Sequence, residues 1–87
     1  MVKNGLIINA WGDKRWYQNG NLHRLNGPAS TRINGDKFYY QNNKRHRIDG
    51  PAYQWFEGDK FWYYEDQIIN CSTQEEFERL IKLRLLW

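Results

Sequence analysis

Apolar residues along this chain come in short bursts, too brief for helices until the last fifteen or so positions. In Lys14-Arg15-Trp16-Tyr17-Gln18 and Lys37-Phe38-Tyr39-Tyr40-Gln41, adjacent aromatic residues are bounded on both sides by turn formers, the signature of short strands. Successive side chains of a strand point to opposite faces. Trp16, Tyr39 and Trp62 therefore share one face, and Tyr17, Tyr40 and Tyr63 share the other with Arg15, Phe38 and Phe61. Rings on both sides predict that neither face is simply wet. One packs in the core, and the other forms a ladder of rings with Arg and Lys stems. Past residue 71 the period changes. Phe77, Leu80, Ile81 and Leu85 recur at helical spacing, and Leu83, Leu86 and Trp87 widen the stripe. Ser72 followed by Glu75 fits a capping box, with Thr73 and Glu76 as an equally spaced alternative. Glu75, Glu76 and Glu78 precede Lys82 and Arg84, the order that the helix dipole favours. This helix is predicted to fold back over the sheet as a lid that closes the core.

The strand pattern is written twice. Aligning Gly12, Gly35 and Gly58 gives a spacing of 23 residues, and residues 12–34 match 35–57 at 11 positions. Such a spacing predicts stacked units, each too small to bury its own face. The chain divides into one repeat domain: a partial unit (1–11), two full units (12–34 and 35–57), a degenerate third (58–71) and a capping helix (72–87). Within a unit, Asn19-Gly20 is a strong signal for a type I′ hairpin, which needs positive φ at both positions. Asn42-Asn43 fills the same place less comfortably. The second strand carries His23 or His46. It ends at Gly27-Pro28 or Gly50-Pro51, where proline removes a donor and pairing stops. A third strand follows, closed by turns in which Asp13, Asp36 and Asp59 suit side-chain bonds to the backbone. The expected fold is mainly β, an antiparallel hairpin and meander sheet of seven to nine short strands with one C-terminal helix.

An 87-residue chain buries a thin core, and 17% aromatic content with five Trp is one way to compensate. No run approaches the ~18 apolar residues that suggest a membrane span, and no signal peptide precedes Gly5. Cys71 is the single cysteine, which rules out a disulfide framework and fits a reducing cytoplasm. The net charge of +3 hides a division, because residues 1–50 carry +6 and residues 51–87 carry −3. A polyanion at the basic end, or a second copy docked head to tail, would suit this division.

Few residues point to reaction chemistry. His23 and His46 occupy equivalent places, but the chain lacks zinc-like spacing, and two His stacked on neighbouring units, each bonded to backbone or a turn carboxylate, account for them. Ser30, Ser72 and Cys71 have no nearby His to act as base, so no catalytic residue, metal or cofactor is expected. Arg24 and Arg47 admit two readings. They could lock the stack by pairing with Asp or carbonyls in the next unit, or join Arg32, Lys44 and Arg45 in a basic face over aromatic rings. Arg forks suit phosphate or carboxylate, and rings can stack a base. Trp, Tyr and Arg are also enriched at protein interfaces, which adds Tyr40, Tyr53 and Trp55 to the candidate surface.

The stretches Trp16-Tyr17-Gln18-Asn19-Gly20-Asn21-Leu22-His23-Arg24-Leu25-Asn26-Gly27-Pro28-Ala29 and Tyr39 to Ala52 resemble the W-Y-x-N-G-K-x-H-R-x-D-G-P-A repeats of small phage and giant-virus proteins, themselves distantly similar to MORN-type hairpin repeats. Asn43 stands where the motif has Gly, Asn26 where it has Asp, and the third unit lacks the H-R-x-D-G-P-A element. The resemblance implies a phage-type accessory protein of the host cytoplasm that binds and modulates, or inhibits, a host protein. Binding of nucleic acid or a small nucleotide is the alternative, and a structural subunit assembling through strand edges is a third.

Overall fold

The structure, a computed structural model, describes residues 2–85. Its strands are β1 (Gly5–Ile8), β2 (Lys14–Gln18), β3 (Asn21–Leu22), β4 (Ser30–Thr31), β5 (Lys37–Phe38), β6 (Tyr40–Gln41), β7 (Lys44–Arg45), β8 (Tyr53–Gln54), β9 (Lys60–Tyr64) and β10 (Gln67–Ile69), followed by helix α1 (Gln74–Leu85). All strand pairs are antiparallel. The main sheet runs β1-β2-β4-β5-β8-β9-β10, with β3 hydrogen-bonded to β2, and β6-β7 form a separate hairpin. The chain thus folds as a mainly antiparallel β-sheet with one C-terminal helix. Ten strands form among the described residues where seven to nine were expected, because the aromatic run 37–41 breaks at Tyr39 into β5 and β6.

The break reflects how each first strand divides its pairing. The leading half of β2 pairs with β4, Lys14 opposite Thr31 and Arg15 opposite Ser30, while its trailing half pairs with β3. In the next unit β5 pairs with β8 and β6 with β7. Between the two halves, Trp16 N–H donates to Ala29 C=O at 2.7 Å, and Tyr39 N–H donates to Ala52 C=O at 2.7 Å. The small side chains of Ala29 and Ala52 are fully buried beneath this junction. β1 meets β2 with Ile7 opposite Arg15, as Ser30 of β4 meets Phe38 of β5 and Tyr53 of β8 meets Phe61 of β9. β1 therefore meets the strand that follows it as β4 and β8 do.

Turn chemistry sets these registers. Asn19 and Gly20 have φ of 51° and 82°, and Asn42 and Asn43 have 52° and 65°. Glu65 and Asp66 adopt the same pair of positive angles, 47° and 70°, so the degenerate third unit keeps the hairpin. Asp13 Oδ1 accepts from Ile33 N–H, and Asp36 Oδ1 from Phe56 N–H, each carboxylate closing its own unit. The two histidines act across units instead. His23 Nδ1 accepts from Asn42 N–H at 3.1 Å, and His46 Nδ1 from Glu65 N–H at 3.0 Å.

The helix covers less than a full lid would. Phe77 and Ile81 pack on Trp62, with Tyr64, Ile69 and Cys71 at the margin, so α1 closes only the third unit. Leu80 is half-buried and Leu83 exposed. Leu86 and Trp87, which were expected to widen the stripe, lie outside the described residues, as does the side chain of Leu85. The cap falls one residue later than Ser72 and Glu75 would place it. Thr73 Oγ1 accepts from Glu76 N–H, and Glu76 Oε1 accepts from Ser72 N–H. Gln74 explains the shift: as the first helical residue it accepts from Trp62 Nε1–H at 2.8 Å and donates to Ile48 C=O at 2.9 Å. Those two bonds fix where the helix begins.

Candidate binding surface

The two faces of the sheet do different work. On the face of Trp16 and Tyr39, the Arg24 guanidinium lies 4.4 Å from the Trp16 ring centre, and that of Arg47 lies 3.9 Å from the Tyr39 ring centre. Each arginine also donates to the carbonyl of the proline four residues on, Arg24 to Pro28 and Arg47 to Pro51, so the partners lie in the arginine's own unit and not in the next one as expected. Gly27 and Gly50 complete the enclosure, since a methyl group there would stand 3.1 Å from the Arg24 carbon and 2.7 Å from that of Arg47. A cation held by a ring, a carbonyl and a glycine forms a clamp. Arg47 further bonds Asp49 at 2.8 Å, which holds the Asp49 carboxyl below the usual range. Trp62, in the same position of the third unit, has no such arginine; Phe77 and Ile81 cover it instead.

Lys44 and Arg45 are also committed within the molecule. Arg45 Nε donates to Asp66 Oδ1 at 2.6 Å, and Lys44 stands 3.7 Å from Glu65 with both side chains more than half exposed. The Asp66 carboxyl is lowered chiefly by the Arg45 side chain and then by the Arg45 N–H. Basic residues of the second unit thus meet acidic residues of the third. Asn43 makes a corresponding bridge one unit earlier, accepting from Leu22 N–H at 2.7 Å and donating to Asn21 Oδ1 at 2.9 Å.

The opposite face carries a groove. Arg15, Tyr17, Leu22, Ser30, Arg32, Phe38, Tyr40, Tyr53 and Trp55 line a cavity of about 280 Å³. Phe38 is buried and meets Tyr53 and Trp55 edge to face, with ring centres 4.8 and 5.3 Å away. Tyr53 packs on Tyr63 at 5.1 Å, and Arg45 lies over Tyr63 at 4.6 Å. The Tyr40 and Tyr53 hydroxyls are hydrogen-bonded to one another. Burial, and next this bond, push the Tyr53 phenol well above its ordinary value, so it stays protonated. Arg32 is 55% exposed at its side chain and 3.9 Å from the buried Asp36 carboxylate. A loose contact at that distance leaves the fork directions of the guanidinium open to a ligand.

The expected surface therefore separates. Arg32, Tyr40, Tyr53 and Trp55 come together in the groove, Arg24 and Arg47 lie on the other face in their clamps, and Lys44 and Arg45 pair with the third unit. Arg15, Tyr17 and Phe38 belong to the groove without having been chosen as site residues. Their signal was strand alternation, which had already put them on the face of Tyr40. His23 and His46 have Nδ1 occupied by backbone donors, and burial raises the Cys71 thiol so that it stays neutral. Among the described residues no three His, Cys, Asp or Glu side chains cluster as a metal site would require, and no helix is long and apolar enough to cross a membrane. No protein-family model matches the chain, and neither a curated protein nor a solved structure is similar to it.

Proposed function

We propose that this protein is a non-catalytic binding module whose aromatic and cationic groove holds an acidic segment of a partner protein. The observation that carries this function is the placement of Arg15 and Arg32 beside half-buried Tyr17, Tyr40, Tyr53 and Trp55 around one cavity. Rings give contact area at low entropic cost, and exposed guanidinium groups supply bidentate bonds to carboxylate. The other arginines of the basic half are engaged internally, which concentrates recognition on this face. Motif resemblance extends the proposal to a phage-type accessory protein, acting in the host cytoplasm to bind and modulate a host protein.

A nucleotide or single-stranded nucleic acid is the second reading, because the same groove offers rings for stacking and guanidinium groups for phosphate. Titration against acidic peptides and against oligonucleotides at several salt concentrations separates the two. Arg15→Ala with Arg32→Ala, and Trp55→Ala, should each weaken the true ligand at least about tenfold, whereas Lys82→Ala on the helix should not. A steep decline with salt for oligonucleotides, and no binding of acidic peptides, would transfer the function to nucleic acid. Binding untouched by every groove substitution would remove the groove from either role.

A further inference from the structure

The first strand of the sheet has a neighbour on one side only. β1 pairs with β2, and among the described residues no strand lies against its outer edge. Residues 3 and 4 do not shield it. Lys3 C=O accepts from Gly20 N–H and Asn4 Oδ1 accepts from Asn19 N–H, which draws them towards the hairpin of β2 and β3. Sheets that remain single commonly guard an edge with Lys, Pro or a bulge. β1 is Gly-Leu-Ile-Ile, and Leu6, Ile7 and Ile8 are 41, 39 and 55% exposed. The other edge, β10, follows directly on Glu65 and Asp66, and Arg84 of the helix bonds its Gln67.

We propose that β1 is the interface of a two-fold dimer, in which the outer edges of two copies pair antiparallel and the two sheets become one. Topology selects this occupant. The main path holds seven strands, each antiparallel to the next, so β1 and β10 point the same way. Head-to-tail stacking would set β10 parallel to the β1 of the following copy, against the pairing used throughout the sheet. An axis perpendicular to the sheet instead gives an antiparallel junction, uses the same strand of both copies and closes at two. That operation keeps both grooves on one side of the enlarged sheet. The dimer does not depend on what the groove binds. Lys3 just before β1 and Lys14 opposite Ile8 bring like charges of the two copies towards the junction, so pairing strengthens as salt rises.

Sedimentation equilibrium of the full chain over about a 100-fold concentration range tests this. The expected result is a mass that climbs from one chain to two and no further, at lower concentration in higher salt. Ile7→Lys should hold the protein at one chain throughout, and Ile68→Lys on the β10 edge should leave the dimer intact. Hydrogen exchange of the unaltered protein supplies a readout free of folding defects, with amides of residues 5–8 gaining protection as concentration rises. A single-chain mass at all concentrations, a mass beyond two chains, a dimer that survives Ile7→Lys, or exchange at residues 5–8 that ignores concentration would overturn the proposal.

Discussion

Arg47 is held by four groups at once: the Tyr39 ring, the Pro51 carbonyl, the Asp49 carboxylate and the bare Cα of Gly50. Gly50→Ala would put a methyl group 2.7 Å from the guanidinium carbon and push Arg47 off its ring. The cost is that of the clamp, about 1–2 kcal/mol from the cation–π contact and its carbonyl bond. Urea denaturation of Gly50→Ala, Arg47→Ala and the double variant should show the double no less stable than Arg47→Ala alone. Additive losses would mean that Gly50 matters for its backbone. Acid sensitivity also belongs to single residues. The Asp66 carboxyl titrates below its ordinary value of 3.8, so the stability it lends is fully present above that pH and is lost as pH falls through the lowered folded value. Asp13 and Asp49 are shifted the same way, by Asn9 and Arg47 respectively. The urea midpoint should therefore decline below about pH 4, and Asp66→Asn should flatten part of that decline. An unchanged pH profile would dissociate Asp66 from acid stability. These residue roles were only partly legible. Two readings of Arg24 and Arg47 stood open because sequence gives no distance from a guanidinium to a ring.

At the level of elements, α1 shows what local rules leave undecided. Two capping boxes overlapped at 72–76, and nothing within the helix chose between them. The choice came from Gln74, whose amide joins Trp62 to Ile48 across two units. Thr73→Ala should therefore cost about 1 kcal/mol, and Ser72→Ala less than about 0.5 kcal/mol, when the two are compared by thermal or urea unfolding. The reverse order would restore the earlier cap. The strands taught a similar lesson. Alternation placed Trp16, Tyr39 and Tyr40 on their faces correctly, because side-chain direction is a property of one strand. The break at Tyr39 was not visible, since it depends on which partner each half of the strand meets. Glu65-Asp66 carries neither Asn nor Gly, yet its backbone repeats the turn of Asn42-Asn43. Position relative to the preceding glycine was the available signal there, and residue type concealed it.

Over the whole molecule, a plate of 41 × 31 × 17 Å is thin enough that most side chains lie near one surface or the other. The interior is divided between Trp62 under the helix, Phe38 beneath the groove rings, and the alanines at the strand junctions. Composition foretold a thin core, and the aromatic excess finds its place in all three. The basic half was read as a surface because sequence charge is summed without regard to pairing. In the fold, Lys44 and Arg45 meet Glu65 and Asp66, and three further arginines, Arg24, Arg32 and Arg47, cover rings. The surface proposed for binding is correspondingly smaller, the groove beside Arg15 and Arg32. The bonds that Asn43, His23, His46 and Asp66 send across each boundary have a separate implication. Every such bond joins a module to its immediate neighbour and to nothing farther away. Copying the segment 35–57 in frame would thus add a plank without disturbing either terminus. Evolution or an engineer could lengthen the molecule, and its grooved face with it, by duplication alone.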